Sequence, residues 1–228
     1  MEYEISGGSF PSVICTLQKG ETMKDETGAM AFMTSDIKMD TNMGGGILKG
    51  LGRALSGDTI FLNFFTAKSD NQKIAFSACY PGKIIPIRLN GSNSIIGEKN
   101  AFLAAEDGVD IDMYFKKRLG AGLFGGEGFI LQKFTGNGML FLEIDGEVIE
   151  HDLQPGEKLL VNQGHVAAME ETVDFDVERV KGVKNMILGG EGLFFTKLTG
   201  PGKVWIQTMP VSKLADAIIP YLPTTKSE

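Results

Sequence analysis

Histidine, cysteine and tryptophan are nearly missing from this sequence: among 228 residues there are two, two and one. His151 and His165 fall in no HExxH or GxSxG pattern and in no Cys/His cluster of zinc spacing. No metal ligand set and no nucleophile–base pair can be read, so no catalytic residue, metal or cofactor is expected. Cys15 and Cys79 are far apart, each in an apolar run. They read as buried free thiols, because buried cysteine behaves as a small hydrophobe, with a disulfide between them as the alternative. Trp205, in KVWIQT, is expected in the core. No apolar stretch approaches the ~20 residues that span a bilayer, so no membrane insertion is expected. The N-terminal MEYEISGGSF has an early acid and no long apolar segment; it is no secretory signal, and the cytoplasm is the expected location. Positive charge is also scarce. Lys and Arg total 22 against 29 Asp and Glu, a net −7, which disfavours a bulk-basic binder of nucleic acid or anionic membrane.

What is abundant is glycine, 30 residues, and much of it recurs. GGEGFILQKFTGNG at Gly125–Gly138 and GGEGLFFTKLTGPG at Gly189–Gly202 match at 8 of 14 positions without a gap. A fainter copy, SGDTIFLNFFTA, occupies Ser56–Ala67. Alternating runs follow the same order: DIKMD at 36–40, DIDMY at 110–114, DFDVE at 174–178. Their period of two reads as half-buried strand. A turn also recurs, as LQKGE (17–21), YPGK (80–83) and LQPGE (153–157); Pro-Gly fits a type II turn. Copies of this length mean a duplicated module. The reading is all-β, with modules over 1–69, 70–138 and 139–206 and a C-terminal extension over 207–228. KIAFSA, MLFLEI and KVWIQT are short, apolar and β-prone, fit for burial on both faces. One helix is expected over Val211–Tyr221, ended by Pro220, its apolar face docking on the body or a neighbour. A second candidate helix lies between Leu48 and Leu55.

Three sets of residues invite chemistry. The glycine loops at 44–58 and 120–128 read as structural bends, with anion binding through backbone N–H groups as the alternative. Basic clusters precede each GGEG-type strand: Lys49 and Arg53; Lys116, Lys117 and Arg118; Arg179, Lys181 and Lys184. They form a candidate anion or RNA rim, or else salt bridges to Asp58, Glu127 and Glu191. The acidic faces (Asp36 and Asp40; Asp110 and Asp112; Asp174, Asp176 and Glu178) carry calcium-ligand chemistry. A flat strand does not wrap an ion, so solvated faces are the better reading.

The three-copy layout, the LQPGE turn and the GGEG strands resemble the altered-inheritance-of-mitochondria protein family, in its bacterial branch. The resemblance implies a fold like that of the tryptophan RNA-binding attenuator protein. It implies three tandem β-sandwich modules in one pseudo-threefold chain, a short C-terminal helix, and closure of several chains into a ring, most simply a homotrimer. It supplies no catalytic residues. The expected function is a non-enzymatic, ring-forming scaffold. The alternatives are polyanion or nucleic-acid binding along a basic rim, and an enzyme with a site between modules.

Overall fold

A computed structural model describes residues 1–26, 28–43, 61–117, 129–179 and 194–222. The described residues are predominantly strand. Along the chain they are β1 (Glu2–Ser6), β2 (Ser12–Leu17), β3 (Thr22–Glu26), β4 (Met30–Met33), β5 (Ile37–Met43), β6 (Phe61–Ala67) and β7 (Gln72–Ser77). There follow β8 (Gly82–Asn90), β9 (Ile95–Glu98), β10 (Phe102–Glu106), β11 (Val109–Lys117) and the long β12 (Phe129–Asp145). The last are β13 (Val148–Leu153), β14 (Lys158–Asn162), β15 (Val166–Glu170), β16 (Asp174–Arg179), β17 (Phe194–Thr199) and β18 (Gly202–Gln207). A helix, α1 (Val211–Ile218), comes after them.

Period-two patterning explains the strands locally. In β2, Val13, Cys15 and Leu17 are fully buried while Ser12, Ile14 and Thr16 alternate at partial exposure. The turn after β2 is closed twice. The Glu21 N–H donates to Gln18 O at 2.9 Å, and the Gln18 N–H donates to Glu21 Oε2 at 2.8 Å. Gly20 sits at φ 89°, a region that glycine enters without steric cost. Gln154–Glu157 repeats both bonds, at 2.9 and 2.8 Å, with Gly156 at φ 78°.

The expected third turn, YPGK, is not of this kind. Gly82 opens β8, opposite Asp145. The matching turn is LNGSN at 89–93, where the Asn90 N–H donates to Asn93 Oδ1 at 2.9 Å and Gly91 has φ 82°. An Asn amide oxygen there replaces the Glu carboxylate, so a search for Pro-Gly passes over it.

The pairing follows one pattern three times. β7 lies between β2 and β4, the second half of β12 between β8 and β10, and β18 between β13 and β15. Likewise β6 lies between β3 and β5, the first half of β12 between β9 and β11, and β17 between β14 and β16. A bulge recurs at one position: between Met30 and Phe32, Phe102 and Ala104, and Val166 and Ala168. β12 runs unbroken because only Gly136 and Asn137 lie between its halves, and Gly136 bends the chain at φ 92°. Two further ladders, β10 with β3 and β15 with β9, join neighbouring groups.

Three apolar clusters result. One collects Val13, Cys15, Met23, Phe65, Ile74 and Phe76 and takes in Phe141 and Leu103 from later strands. The middle one, around Leu89, Phe134 and Leu140, receives Leu62 from one side and Ala168 and Trp205 from the other. The third centres on Val161, Leu198 and Val204, with Ile96 and Leu131 from β9 and β12. Trp205 is buried, as its sequence context implies, and its indole N–H donates to Glu150 Oε1 at 3.2 Å.

The helix forms where expected but ends one turn early. α1 stops at Ile218, and Ile219–Tyr221 tighten into a 3-10 turn containing Pro220. None of its residues is buried; Ile218, Ile219 and Tyr221 are exposed. The apolar face therefore does not dock on the body. The candidate helix between Leu48 and Leu55 lies outside the described residues.

The thiols differ from each other. Both are free, Cys15 buried and Cys79 exposed. β7 ends at Ser77, so Cys79 falls in the following turn instead of in the strand its apolar run suggests. Burial pushes the Cys15 thiol up to about 12. Maleimide on the folded protein is expected to add once, at Cys79, and at Cys15 only after denaturation; intact-mass spectrometry reads the count, and two additions on the folded chain would contradict this burial. Burial and Glu143 also raise the Cys79 pKa, which slows its reaction.

Candidate functional site

The basic residues come first. Lys49, Arg53, Arg118, Lys181 and Lys184 lie outside the described residues, as do Asp58, Glu127 and Glu191. Lys116 and Lys117 end β11, opposite Ile130 and Phe129, and Arg179 ends β16, opposite Phe194. Lys116 and Arg179 occupy the same register in their hairpins; Met43, opposite Phe61, holds that place in the first.

The acidic strand faces are solvated, as their alternation implies. Asp36, Asp110, Asp112, Asp174 and Asp176 are exposed. Asp36 Oδ2 accepts from Ser69 Oγ at 2.8 Å, Asp40 pairs with Lys38 at 2.7 Å, and Asp176 pairs with Lys197 at 3.5 Å. Among the described residues no group of three His, Cys, Asp or Glu side chains is placed to hold a metal ion. His165 Nδ1 lies 2.7 Å from Gln207 O, and His151 is exposed on β13.

A different set of carboxyls, not singled out in the sequence, is buried or half-buried and perturbed. Asp25, on β3, is fully buried, and burial raises it to about 6. The Asn63 amide donates to its Oδ1 at 3.0 Å and the Met30 N–H to its Oδ2 at 3.1 Å. Asn63 Oδ1 in turn accepts from Thr41 Oγ1 at 3.0 Å. Next door, Gln132 Nε2 donates to Glu26 Oε1 at 3.0 Å, and burial raises Glu26. Register places Asn63, Gln132 and Thr196 at equivalent points on β6, β12 and β17. All three are buried. The Asn63 and Gln132 amides thus tie β3 to β6 and β12, while the Thr196 hydroxyl has no hydrogen-bond partner among the described residues.

Glu98, Glu143 and Asp145 form a second group. Burial raises Glu98 and Glu143 to about 7, and the Asp145 charge adds to both. Asp145, itself raised by burial, accepts from the Val211 N–H at 2.8 Å and so anchors the first turn of α1. Glu143 Oε2 accepts from the Cys79 N–H at 2.8 Å. A carboxyl with pKa near 7 can exchange protons at neutral pH. The backbone bonds here give these groups a structural task as well. Sequence offers one signal for them, acids inside otherwise apolar strands, as in MLFLEI.

The largest solvent-facing apolar side chains on the sheets lie at strand edges and ends. Among the described residues β4 pairs only with β7 and β14 only with β17. Phe32 on β4 and Leu160 on β14 are 49% and 59% exposed. No described helix is long and apolar enough to cross a membrane.

Comparison with known proteins matches this architecture to others. An uncharacterized protein of Streptococcus pyogenes serotype M6 is 28% identical over 226 residues, covering 96% of this chain and 89% of that one. A crystal structure of a Streptococcus pyogenes protein superimposes with TM-score 0.76 at 23% identity, covering 97% of this chain and 99% of that chain; the two share a fold. The family model described as mitochondrial biogenesis AIM24 matches residues 3–209, nearly the whole strand-built body, and the chain belongs to that family.

Proposed function

We propose that this protein is a non-enzymatic scaffold that assembles from copies of itself into a closed ring, most simply a trimer, in the cytoplasm. In this reading it is three copies of one attenuator-like β-sandwich unit. The recurring pairing and bulge support the copies, and in this reading the units divide at other points. β7 pairs with β2 and β4, so it closes the first unit instead of opening the second. Units then run over 1–77, 82–145 and 148–207, in place of 1–69, 70–138 and 139–206.

The observation that carries the assembly reading is the pair of sheet edges at β4 and β14, each with one partner among the described residues and each presenting a large exposed apolar side chain. Natural monomers blunt such edges with charge, proline or cover, because an open edge templates association. β4, MAFM, has none of these blocking residues. Joining copies removes the hazard. Light scattering at micromolar concentration is expected to give a whole-number multiple, above one, of 24.6 kDa. A single-chain mass would overturn the proposal.

The shared register of Lys116 and Arg179 supports a second reading, a polyanion-binding rim. The same measurement repeated with single-stranded RNA at low and high salt separates it, since phosphate binding weakens steeply with salt.

A further inference from the structure

Two ladders hold neighbouring groups of strands together, and they use one register. In the first, Ala104 faces Asp25, Ala105 faces Lys24 and Glu106 faces Met23. In the second, Ala168 faces Gly97, Met169 faces Ile96 and Glu170 faces Ile95. Each ladder joins the strand that follows the recurrent bulge to the strand that follows the recurrent turn.

Among the described residues one more strand of each kind remains. Pairing with β7 places Phe32 and Met33 of β4 where Ala104 and Ala105, and Ala168 and Met169, stand. Pairing with β17 places Leu159, Leu160 and Val161 of β14 where Met23, Lys24 and Asp25, and Ile95, Ile96 and Gly97, stand. At the two internal ladders these positions are closed off. Ala104, Ala105 and Met169 are 0% exposed, and Ile96 is 1%. Even a lysine is covered there: Lys24 is 5% exposed, its Nζ donating to Asp107 O at 3.0 Å. At the ends the equivalent side chains are large, apolar and open, as Phe32 and Leu160 show.

We infer that β4 of one copy pairs antiparallel with β14 of the next, Phe32 opposite Val161, Met33 opposite Leu160 and Thr34 opposite Leu159. This would add a third ladder in the register of the two internal ones. The occupant is a second copy of this chain because each open edge is the kind that the other kind covers inside the molecule. The contact is heterologous, β4 to β14 and never β4 to β4, so copies add head to tail and a closing rotation gives a ring. The β4 ladder becomes continuous with that of β14, a sheet of β1, β2, β7, β4, β14, β17 and β16 in that order.

This inference rests on the self-assembly reading, and the test separates the two. In a Cys79→Ser background, one chain carries Met33→Cys and a second, tagged chain carries Leu160→Cys. Facing Cβ atoms of a ladder lie about 4.5–5.5 Å apart, within reach of a short bismaleimide. The expected result is a mixed two-chain adduct on a denaturing gel. Met33→Cys paired with an off-register Lys19→Cys on the tagged chain should give at least tenfold less. A multimeric mass without this adduct overturns the edge assignment and leaves self-assembly standing; a single-chain mass for the natural sequence overturns both. Both substitutions in one chain test closure within the chain, and cross-linking there without a two-chain adduct also overturns the assignment. Phe32→Glu, at an already exposed position whose internal equivalents are the closed-off Ala104 and Ala168, is expected to lower the mass to one chain with an unchanged far-ultraviolet spectrum. Retention of the full mass by that variant overturns the pairing.

Discussion

Phe141→Ala is expected to lower the free energy of unfolding by about 3–5 kcal/mol, the range for truncating a fully buried aromatic ring. Phe141 is 0% exposed on β12. It belongs by chain position to the middle of the protein, yet it packs into the cluster of Val13, Phe65 and Phe76. Tyr3 of the N-terminal strand meets it edge to face, centroids 5.1 Å apart at 75°, a contact that adds about 0.5–1.5 kcal/mol. Its removal therefore loosens β1 and the junction between β10 and β3 together. Urea unfolding of the natural chain and the variant measures the loss. Phe10→Ala, at a ring 72% exposed, is the matched control and should change stability by less than about 0.5 kcal/mol. Equal effects of the two would show that the sheets are not joined through Phe141.

Stability is also expected to fall as pH rises from about 4.5 to about 7. Glu98 and Glu143 are raised from 4.5 to about 7, by burial first and by neighbouring carboxylates next. The folded state thus keeps protons that the unfolded chain releases above about 4.5. Their favourable contribution is whole below the unfolded value and is lost as pH climbs through the folded one. Above about 7 the profile flattens, because both states are then ionised. Asp25, raised from 3.8 to about 6, acts in the same direction over a lower window. Glu98→Gln with Glu143→Gln removes most of the slope. At pH 8 the double variant should exceed the natural chain by about 2 kcal/mol, since each tenfold change in proton affinity on folding is worth roughly 1.4 kcal/mol and solvent screens part of it. Urea midpoints at pH 5, 6, 7 and 8 test this. A natural chain that gained stability over that range, or a double variant with the same slope, would show that these carboxyls are not held protonated by the fold.

Local pattern carried a reader far into this protein. Alternation in DIKMD, DIDMY and DFDVE announced β5, β11 and β16 and their solvated acids, because side-chain period is a property of a few consecutive residues. KIAFSA, MLFLEI and KVWIQT announced the central strands by being short, β-prone and apolar on both faces. Pro220 marked the end of the helix because proline acts on its own turn. The turn at 89–93 was missed because Asn93 uses an amide oxygen where Glu21 and Glu157 use carboxylates. The same hydrogen bond is written there in different letters.

From its sequence alone this chain is a β protein with recurring segments, thiols and histidines in no reactive pattern, and one short terminal helix. Only the tertiary structure decides that β7 belongs with β2, that Cys79 faces solvent, and that Asp25, Glu98 and Glu143 are drawn into the protein. It alone gives β4 and β14, among the described residues, a single partner each. These outcomes depend on which strands meet across tens of residues, and hydrogen-bond pairing and burial are set by partners that no local window contains.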